Sequence, residues 1–368
     1  MNKTVREPLF HLVKRDGMVW WKSWLIRLLA VVLSLLVSGI LIFALTGENP
    51  LSVYATMFQA GFATRRRFWA LLQNVAMLLC VALAVTPAFK MRFWNIGAEG
   101  QALMGGLATA ACMVYFGNRL PSGLLLLVIF LSSVLAGAVW ALIPAVFKAA
   151  YGTNETLFTL MMNYVAAQIV SYFTYVHSNP KGSGQMGVIN KATQAGWLPK
   201  IEGNNYLLNI LIVLVITILV FVYLSRTKHG YEISVVGQSE NTARYIGIDV
   251  SRVIIRTLLI SGALCGICGF LLVSGTDHTL TRDTIAGRGF TAIIVSWMAK
   301  FNPLYMVVVS FLICFLQKGA VDIASTFGFN DALADIITGI IIFFIIGSEF
   351  FIGYKLRFNR HRKGGHRS

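Results

Sequence analysis

Apolar residues in this chain come in long runs separated by short polar intervals. Ten such runs can be drawn: 28–45, 68–89, 93–116, 123–147, 157–176, 207–224, 253–274, 289–298, 306–316 and 336–351. A helix needs about 20 apolar residues to cross the hydrocarbon core of a bilayer. In lipid the backbone must satisfy its own hydrogen bonds, which favours helices. The pattern therefore predicts an all-α polytopic membrane protein with about ten transmembrane helices. Two runs are irregular. The third opens on "FWNIGAEGQ" (93–101), which crowds a carboxylate, two amides and two glycines at the edge of an apolar stretch. The eighth is short and carries "AGRGFTA" (286–292).

Two six-residue stretches repeat a polar theme. "GTNETL" (152–157) opens the fifth predicted helix and "GFNDAL" (328–333) the tenth. Both read G-x-N-acid-x-L. Asn is a good N-cap, and an acid in the first turn favours the helix dipole. In a ten-helix topology the two starts face opposite sides, as an inverted, pseudo-twofold repeat requires. The irregular third and eighth runs precede these starts in corresponding positions, and broken segments so placed point to a transport path.

Composition agrees with lipid as the solvent: 57% of residues are hydrophobic and 12% charged, against about 25% charged in soluble domains. The mean hydropathy is +0.71, and no soluble enzyme domain is left over. A net charge of +16 raises nucleic acid as a partner, but the distribution argues against it. The bases gather at Lys3, Arg6, Lys14, Arg15 and Lys22, between Arg226 and Arg256, and at Lys355, Arg357, Arg360, Arg362, Lys363 and Arg367. They flank apolar runs, as cytoplasmic ends of membrane helices do. The expected division is a cytoplasmic basic arm (1–27), a transmembrane domain (28–353) with an inner loop at 226–252, and a cytoplasmic basic tail (354–368). Both termini then lie on the cytoplasmic side of the cell (inner) membrane, and the first run reads as an anchor rather than a signal peptide. Arg65, Arg66 and Arg67 fall on the outer side and are the exception to the charge rule.

Catalytic chemistry is not indicated. The chain has no G-x-x-x-x-G-K-[ST] phosphate loop and no H-E-x-x-H. It lacks zinc-type Cys/His spacing, and Cys80, Cys112, Cys265, Cys268 and Cys314 all sit in apolar runs. No catalytic residue, metal or cofactor is expected. Glu99 is the sharpest polar residue. It either lines a path or is a structural acid satisfied by backbone amides or by Arg92. Asn95 and Gln101 beside it, and Asn154, Glu155, Asn163 and Tyr164 in the fifth helix, divide in the same way between capping, interhelical bonding and solute contact. The loop 237–252 is the longest polar stretch between two helices on the predicted inner side. Within it "SENTARYIGI" reads as one short helix capped by Ser239 and ended by Gly247, with apolar residues that need a partner or a membrane surface.

Together "FWNIGAEGQ", "GTNETLFTLMMNYVA", "GQSENTARYIGI" and "GRGFTAIIVSWMAKFNP" resemble the permease subunits of ABC importers in the branched-chain amino acid, sugar and nucleoside permease superfamily, and within it the nucleoside type. The resemblance covers most of 51–351. It implies a ten-helix permease with a pseudo-twofold repeat. It also implies that 237–248 (Gly237, Glu240, Ala243, Arg244, Tyr245, Gly247, Ile248) is a coupling helix that docks on a separate ABC ATPase subunit. A second homologous permease subunit and an extracytoplasmic substrate-binding lipoprotein would complete the importer in the lipid bilayer. Ser296, Trp297 and Met298 depart from the small and aliphatic residues usual after "GFTAI", and Asn241 and Thr242 stand where a second alanine is usual. A nucleoside, neutral and ring-bearing, would suit Phe93, Trp94, Asn163 and Tyr164. Alternatives are a simple sugar such as ribose or galactose, and an ion-coupled secondary transporter in which Glu99 titrates.

Overall fold

The computed structural model describes residues 10–15, 18–201, 203–328 and 330–358. Lys3, Arg6, Arg360, Arg362, Lys363 and Arg367 lie outside the described residues. The helices are α1 Trp20–Thr46, α2 Pro50–Phe62, α3 Arg65–Lys90, α4 Ala98–Phe116, α5 Ser122–Tyr151 and α6 Glu155–Val176, then, after the stretch 177–206, which holds no helix among its described residues, α7 Leu207–Arg226. Then come α8 Lys228–Gln238, α9 Glu240–Tyr245, α10 Val250–Leu272, α11 Arg288–Met298, α12 Pro303–Phe327 and α13 Asp331–Gly353. A π-helical turn, Val273–Asp277, continues α10.

Each predicted apolar run lies on a helix. Among the described residues, eight helices (α1, α3, α5, α6, α7, α10, α12 and α13) are long and apolar enough to cross a membrane. The other two predicted runs differ for visible reasons. The third loses its first residues to irregular backbone and keeps a polar first turn in α4, and the eighth, α11, has only 11 residues. The predicted caps form. Asn154 accepts from the Leu157 N–H at 3.2 Å, and Asn330 accepts from the Ala332 N–H at 3.1 Å.

The chain divides into two units, Met1–Gly61 with Leu316–Ser368, and Phe62–Phe315. In the first, α1 packs along α13, and Arg27 pairs with Glu349 at 2.6 Å. The Tyr54 hydroxyl donates to the Leu35 carbonyl at 2.5 Å. A two-stranded antiparallel ribbon joins β1 (Phe10–Lys14) to β2 (Tyr354–Phe358), with Phe10 opposite Phe358. The apolar pattern did not foretell it, because five-residue segments within basic arms are too short to register as a run.

In the second unit α10 packs against α3, α4 and α5. The apolar windows of α3 and α10 are each 72% buried, against 22% for α5 and α6. Small residues bring these backbones together. A Cβ on Gly262 would collide with the Gly137 carbonyl, one on Gly266 with the Ser133 carbonyl, and one on Gly269 with the Ala102 carbonyl. The Ser133 hydroxyl donates across the same seam to the Gly266 carbonyl at 3.0 Å. With lipid on the outside, helices gain little by hiding apolar surface, so close backbone approach and interhelical hydrogen bonds carry the association.

Two substitutions in one detergent test this seam. Gly266→Ala must push two backbones apart and is expected to destabilise by about 1–3 kcal/mol, read as a lower melting temperature. Gly123→Ala, where nothing lies within 4 Å, is expected to melt no lower than the parent. Equal melting of all three proteins would refute the close-packed seam.

Candidate functional site

Where α3 ends, Arg92 turns the chain through φ 62 and residues 93–97 run without regular structure. α4 therefore begins inside protein with open N–H groups, and its N-cap residue Gly97 has no side chain to close them. Neighbouring side chains do so. The Gly97 N–H donates to Asn95 Oδ1 at 3.1 Å, the Gly100 N–H to Asn163 Oδ1 at 2.8 Å, and the Ile96 N–H to Thr159 Oγ1 at 3.2 Å. Asn163 returns a bond from Nδ2 to the Ile96 carbonyl at 2.9 Å. Asn95 and Gln101 bond each other, Gln101 Nε2 to Asn95 Oδ1 at 3.0 Å, and Asn95 Nδ2 also reaches Ser261 of α10 at 3.1 Å. Asn95, Gln101 and Asn163 are all buried. Buried polar groups without partners would cost about 1–3 kcal/mol each, so this network is what permits the break.

Glu99, in the first turn of α4, closes a second break. α11 starts after Gly287 (φ 70), with no side-chain cap of its own. Glu99 Oε1 accepts from the Gly287 N–H at 2.8 Å, and Oε2 accepts from the Gly289 N–H at 2.7 Å. A carboxylate is thus lent by one helix to the positive N-terminal end of another. Gly289 lets the two approach, since a Cβ there would sit 2.7 Å from the Glu99 backbone nitrogen. Both carboxylate oxygens are engaged by backbone, and Arg92 is not among their partners.

The remaining predicted residues stand apart. Phe93 is buried, whereas Trp94 is 45% exposed and stacks on Trp297 at 5.8 Å. Phe89 meets both indoles edge-on, and Phe301 meets Trp297. Asn154 serves α6 as its cap, and Glu155 pairs with Lys148 at 2.7 Å. Tyr164 points out from α6, exposed. The structure thus joins Asn95, Gln101 and Asn163 around the start of α4, turns Glu99 from the same turn toward α11, and leaves Trp94, Asn154, Glu155 and Tyr164 elsewhere. Sequence reasoning missed Thr159, one helical turn before Asn163, and Ser261.

The loop between α7 and α10 holds two helices, α8 and α9. Ser239 caps α9 by accepting from the Thr242 N–H at 3.2 Å, and Gly247 follows with φ 83. The base of this element is pinned. Gly237 has no room for a Cβ against the Lys90 carbonyl, Arg256 holds Glu232 at 2.7 Å, and Ala243 is fully buried. Its tip is bare. Tyr245 is 92% exposed and Ile246 51%, while Glu240 and Arg244 lie exposed beside them, 4.0 Å apart.

The family described as branched-chain amino acid transport system / permease component matches residues 68–346. The chain is 28% identical over 355 residues to a glucose ABC transporter permease protein of Haloferax volcanii, covering 94% of this chain and 92% of the relative. It is 28% identical over 340 residues to a guanosine ABC transporter permease protein of Bacillus subtilis, covering 91% and 94%. A nucleoside ABC transporter permease protein of Lactococcus lactis is 25% identical over 332 residues, covering 87% and 90%. No solved structure matches the chain.

The Glu99 clamp is tested by two substitutions. Glu99→Ala uncovers two amides and is expected to cost about 3 kcal/mol, and Glu99→Gln, which keeps one acceptor, about half as much. Thermal melting in detergent reads the order. Melting of both variants with the parent would show that the clamp carries no weight.

Proposed function

We propose a substrate, a coupling face and a set of partners for this chain, which belongs to the family of permease components of branched-chain amino acid transport systems. It is a multi-pass membrane permease subunit of an ABC transporter and not itself an enzyme. The proposed activity is import of nucleosides, powered by ATP hydrolysis on a separate subunit. The observation that carries the coupling reading is the bare tip of α9. An aromatic ring left 92% exposed at Tyr245, on an element held rigidly at its base, is a docking knob for a groove on the ATPase. The element would face the cytoplasm, with both termini and their basic arms on that side of the cell membrane.

For the substrate, the relatives that move guanosine and nucleosides and the half-exposed Trp94 and Trp297 rings support a flat, neutral, ring-bearing solute, which stacks on indole at little desolvation cost. A second homologous permease subunit and an extracytoplasmic binding lipoprotein complete the proposed assembly. The glucose permease relative, matched over 94% of this chain, favours one other reading, a hexose importer of the same architecture.

Uptake of labelled guanosine and glucose, in cells with and without the chain, separates the two. Loss of guanosine uptake on deletion, unaffected by excess glucose, is expected, and loss of glucose uptake alone would assign the hexose. Dissipating the proton gradient at constant ATP is expected to leave uptake intact, which an ion-coupled carrier would not do. Tyr245→Asp is expected to bring uptake to background and to end copurification of the ATPase at unchanged permease level. Full uptake by that variant would remove α9 from the coupling face.

A further inference from the structure

Near its start α3 carries two amides in succession, Gln73 and Asn74, inside the otherwise apolar "FWALLQNVAMLL". They lie about 12 Å along the helix from Arg65 at 1.5 Å per residue. Adjacent positions on a helix diverge in direction, and these two reach different targets. Gln73 Nε2 donates to Thr276 Oγ1 at 3.1 Å, in the π-helical turn that ends α10. Asn74 Oδ1 accepts from Arg288 Nη2 at 3.1 Å, at the first residue of α11. The two amides therefore hold the two ends of the interruption that separates α10 from α11. π-helical turns of this kind recur at functional sites.

The frame is rigid. On one side, the segment before α7 grips the π turn. The Leu198 N–H donates to the Ser274 carbonyl at 2.9 Å, the Ile189 N–H to the His278 carbonyl at 2.7 Å, and the Trp197 ring stacks on the His278 imidazole at 3.7 Å. On the other side, Glu99 clamps Gly287 and Gly289. Arg288 spends its guanidinium on Asn74 and on the Thr284 and Ile285 carbonyls.

Within this frame, bonding capacity is left over. Gln73 is only 5% exposed, and its Oε1 accepts no hydrogen bond. Asn74 Nδ2 donates to none of the described residues. Asp277 is exposed and forms no hydrogen bond or ion pair with a described residue, although Arg288 is near enough to act on its charge. One half-buried amide donor and one exposed carboxylate are thus unengaged near a guanidinium that is already bonded, with an unpaired amide oxygen shut away from solvent behind them.

We propose that Asn74 and Asp277 form a subsite, held in place by Gln73 through Thr276, that binds vicinal hydroxyls of a neutral solute, the ribose of a nucleoside or the ring of a hexose. The inference rests on the import reading above and names the part of the substrate that this site reads. The chemistry selects the class. A free carboxylate accepts from two neighbouring hydroxyls, and Asn74 Nδ2 supplies a donor for the same groups. The open carboxylate disfavours an anionic solute. A single free carboxylate is too few ligands for Ca²⁺, which takes 6–8 oxygens. Glu99, with both oxygens bound to backbone, positions α11 for this subsite and does not touch the solute.

The test compares guanosine with its 2′,3′-dideoxy analogue in cells that express the full importer. Uptake KM is measured for the parent, Asp277→Asn and Asn74→Ala. Asp277 makes no bonds to lose, so Asp277→Asn preserves the fold. The parent is expected to prefer guanosine by about tenfold or more, since loss of hydrogen bonds to a charged group costs that much. Asp277→Asn and Asn74→Ala are expected to raise KM for guanosine about tenfold, leave that for the analogue unchanged, and so erase the preference. A role confined to holding helices would change both solutes equally. An unchanged preference in Asp277→Asn, with uptake retained, overturns the subsite while leaving the import reading intact. A parent that moves neither guanosine nor glucose overturns the import reading and the subsite with it.

Discussion

A peptide N–H deprived of water costs several kcal/mol unless it finds an acceptor, and the inner structure of this protein follows from that constraint. At the breaks before α4 and before α11, polar side chains gather to meet the amides set free. The start of α4 exposes Ile96, Gly97 and Gly100, and Thr159, Asn95 and Asn163 answer them one for one. The start of α11 exposes Gly287 and Gly289, and the two oxygens of Glu99 answer those. A carboxylate suits the second case because it accepts two bonds at once and adds the attraction of its charge to the helix terminus.

How far the sequence discloses this depends on the range of each interaction. Apolar runs are local and long, so the helices built on them could be read directly, whereas α2 (Pro50–Phe62) and α8 (Lys228–Gln238) lie outside every run. Caps are local too, and Asn154, Ser239 and Asn330 each bond a backbone N–H two or three residues on. Glu99 was conspicuous as a carboxylate in an apolar setting, but its partners lie 188 and 190 residues away, and nothing in the flanking residues marks them. Gln73 and Asn74 are hidden for the opposite reason. The run around them is apolar enough to hold two amides without losing the look of a membrane helix, and their meaning comes only from what they reach across α3. The strands at the two ends are too short for any periodic signal to separate them from their basic surroundings.

Glycine in these segments answers to space more than to backbone freedom. Gly97 has an ordinary φ of −79, yet a Cβ there would press on Thr159 and Asn95. At Gly100 a Cβ would lie 2.9 Å from Asn163 Oδ1, the atom that satisfies the Gly100 amide. The same residue thus supplies the N–H and clears the route to its acceptor. The glycines of α10 apply this economy to helix pairing, so that one small side chain serves both to break helices and to join them.

Close contacts of this sort also connect the surface element to the buried breaks. Gly237, at the end of α8, rests on the Lys90 carbonyl, the last residue of α3. Lys90 in turn bonds the Leu224 carbonyl of α7 at 3.4 Å. Beyond Lys90 the chain turns at Arg92 and enters the stretch that Asn95 and Asn163 hold, and Glu99 then carries the connection to α11. Apart from the Lys90 side chain, which is half-buried, every link is a backbone contact or a short hydrogen bond. An element fixed to the middle of a helix could move only with the whole rod. Attached at the boundary of α3, it abuts a place where the chain changes direction without rupturing a helical ladder, because that ladder is already open there and its amides are already bonded elsewhere.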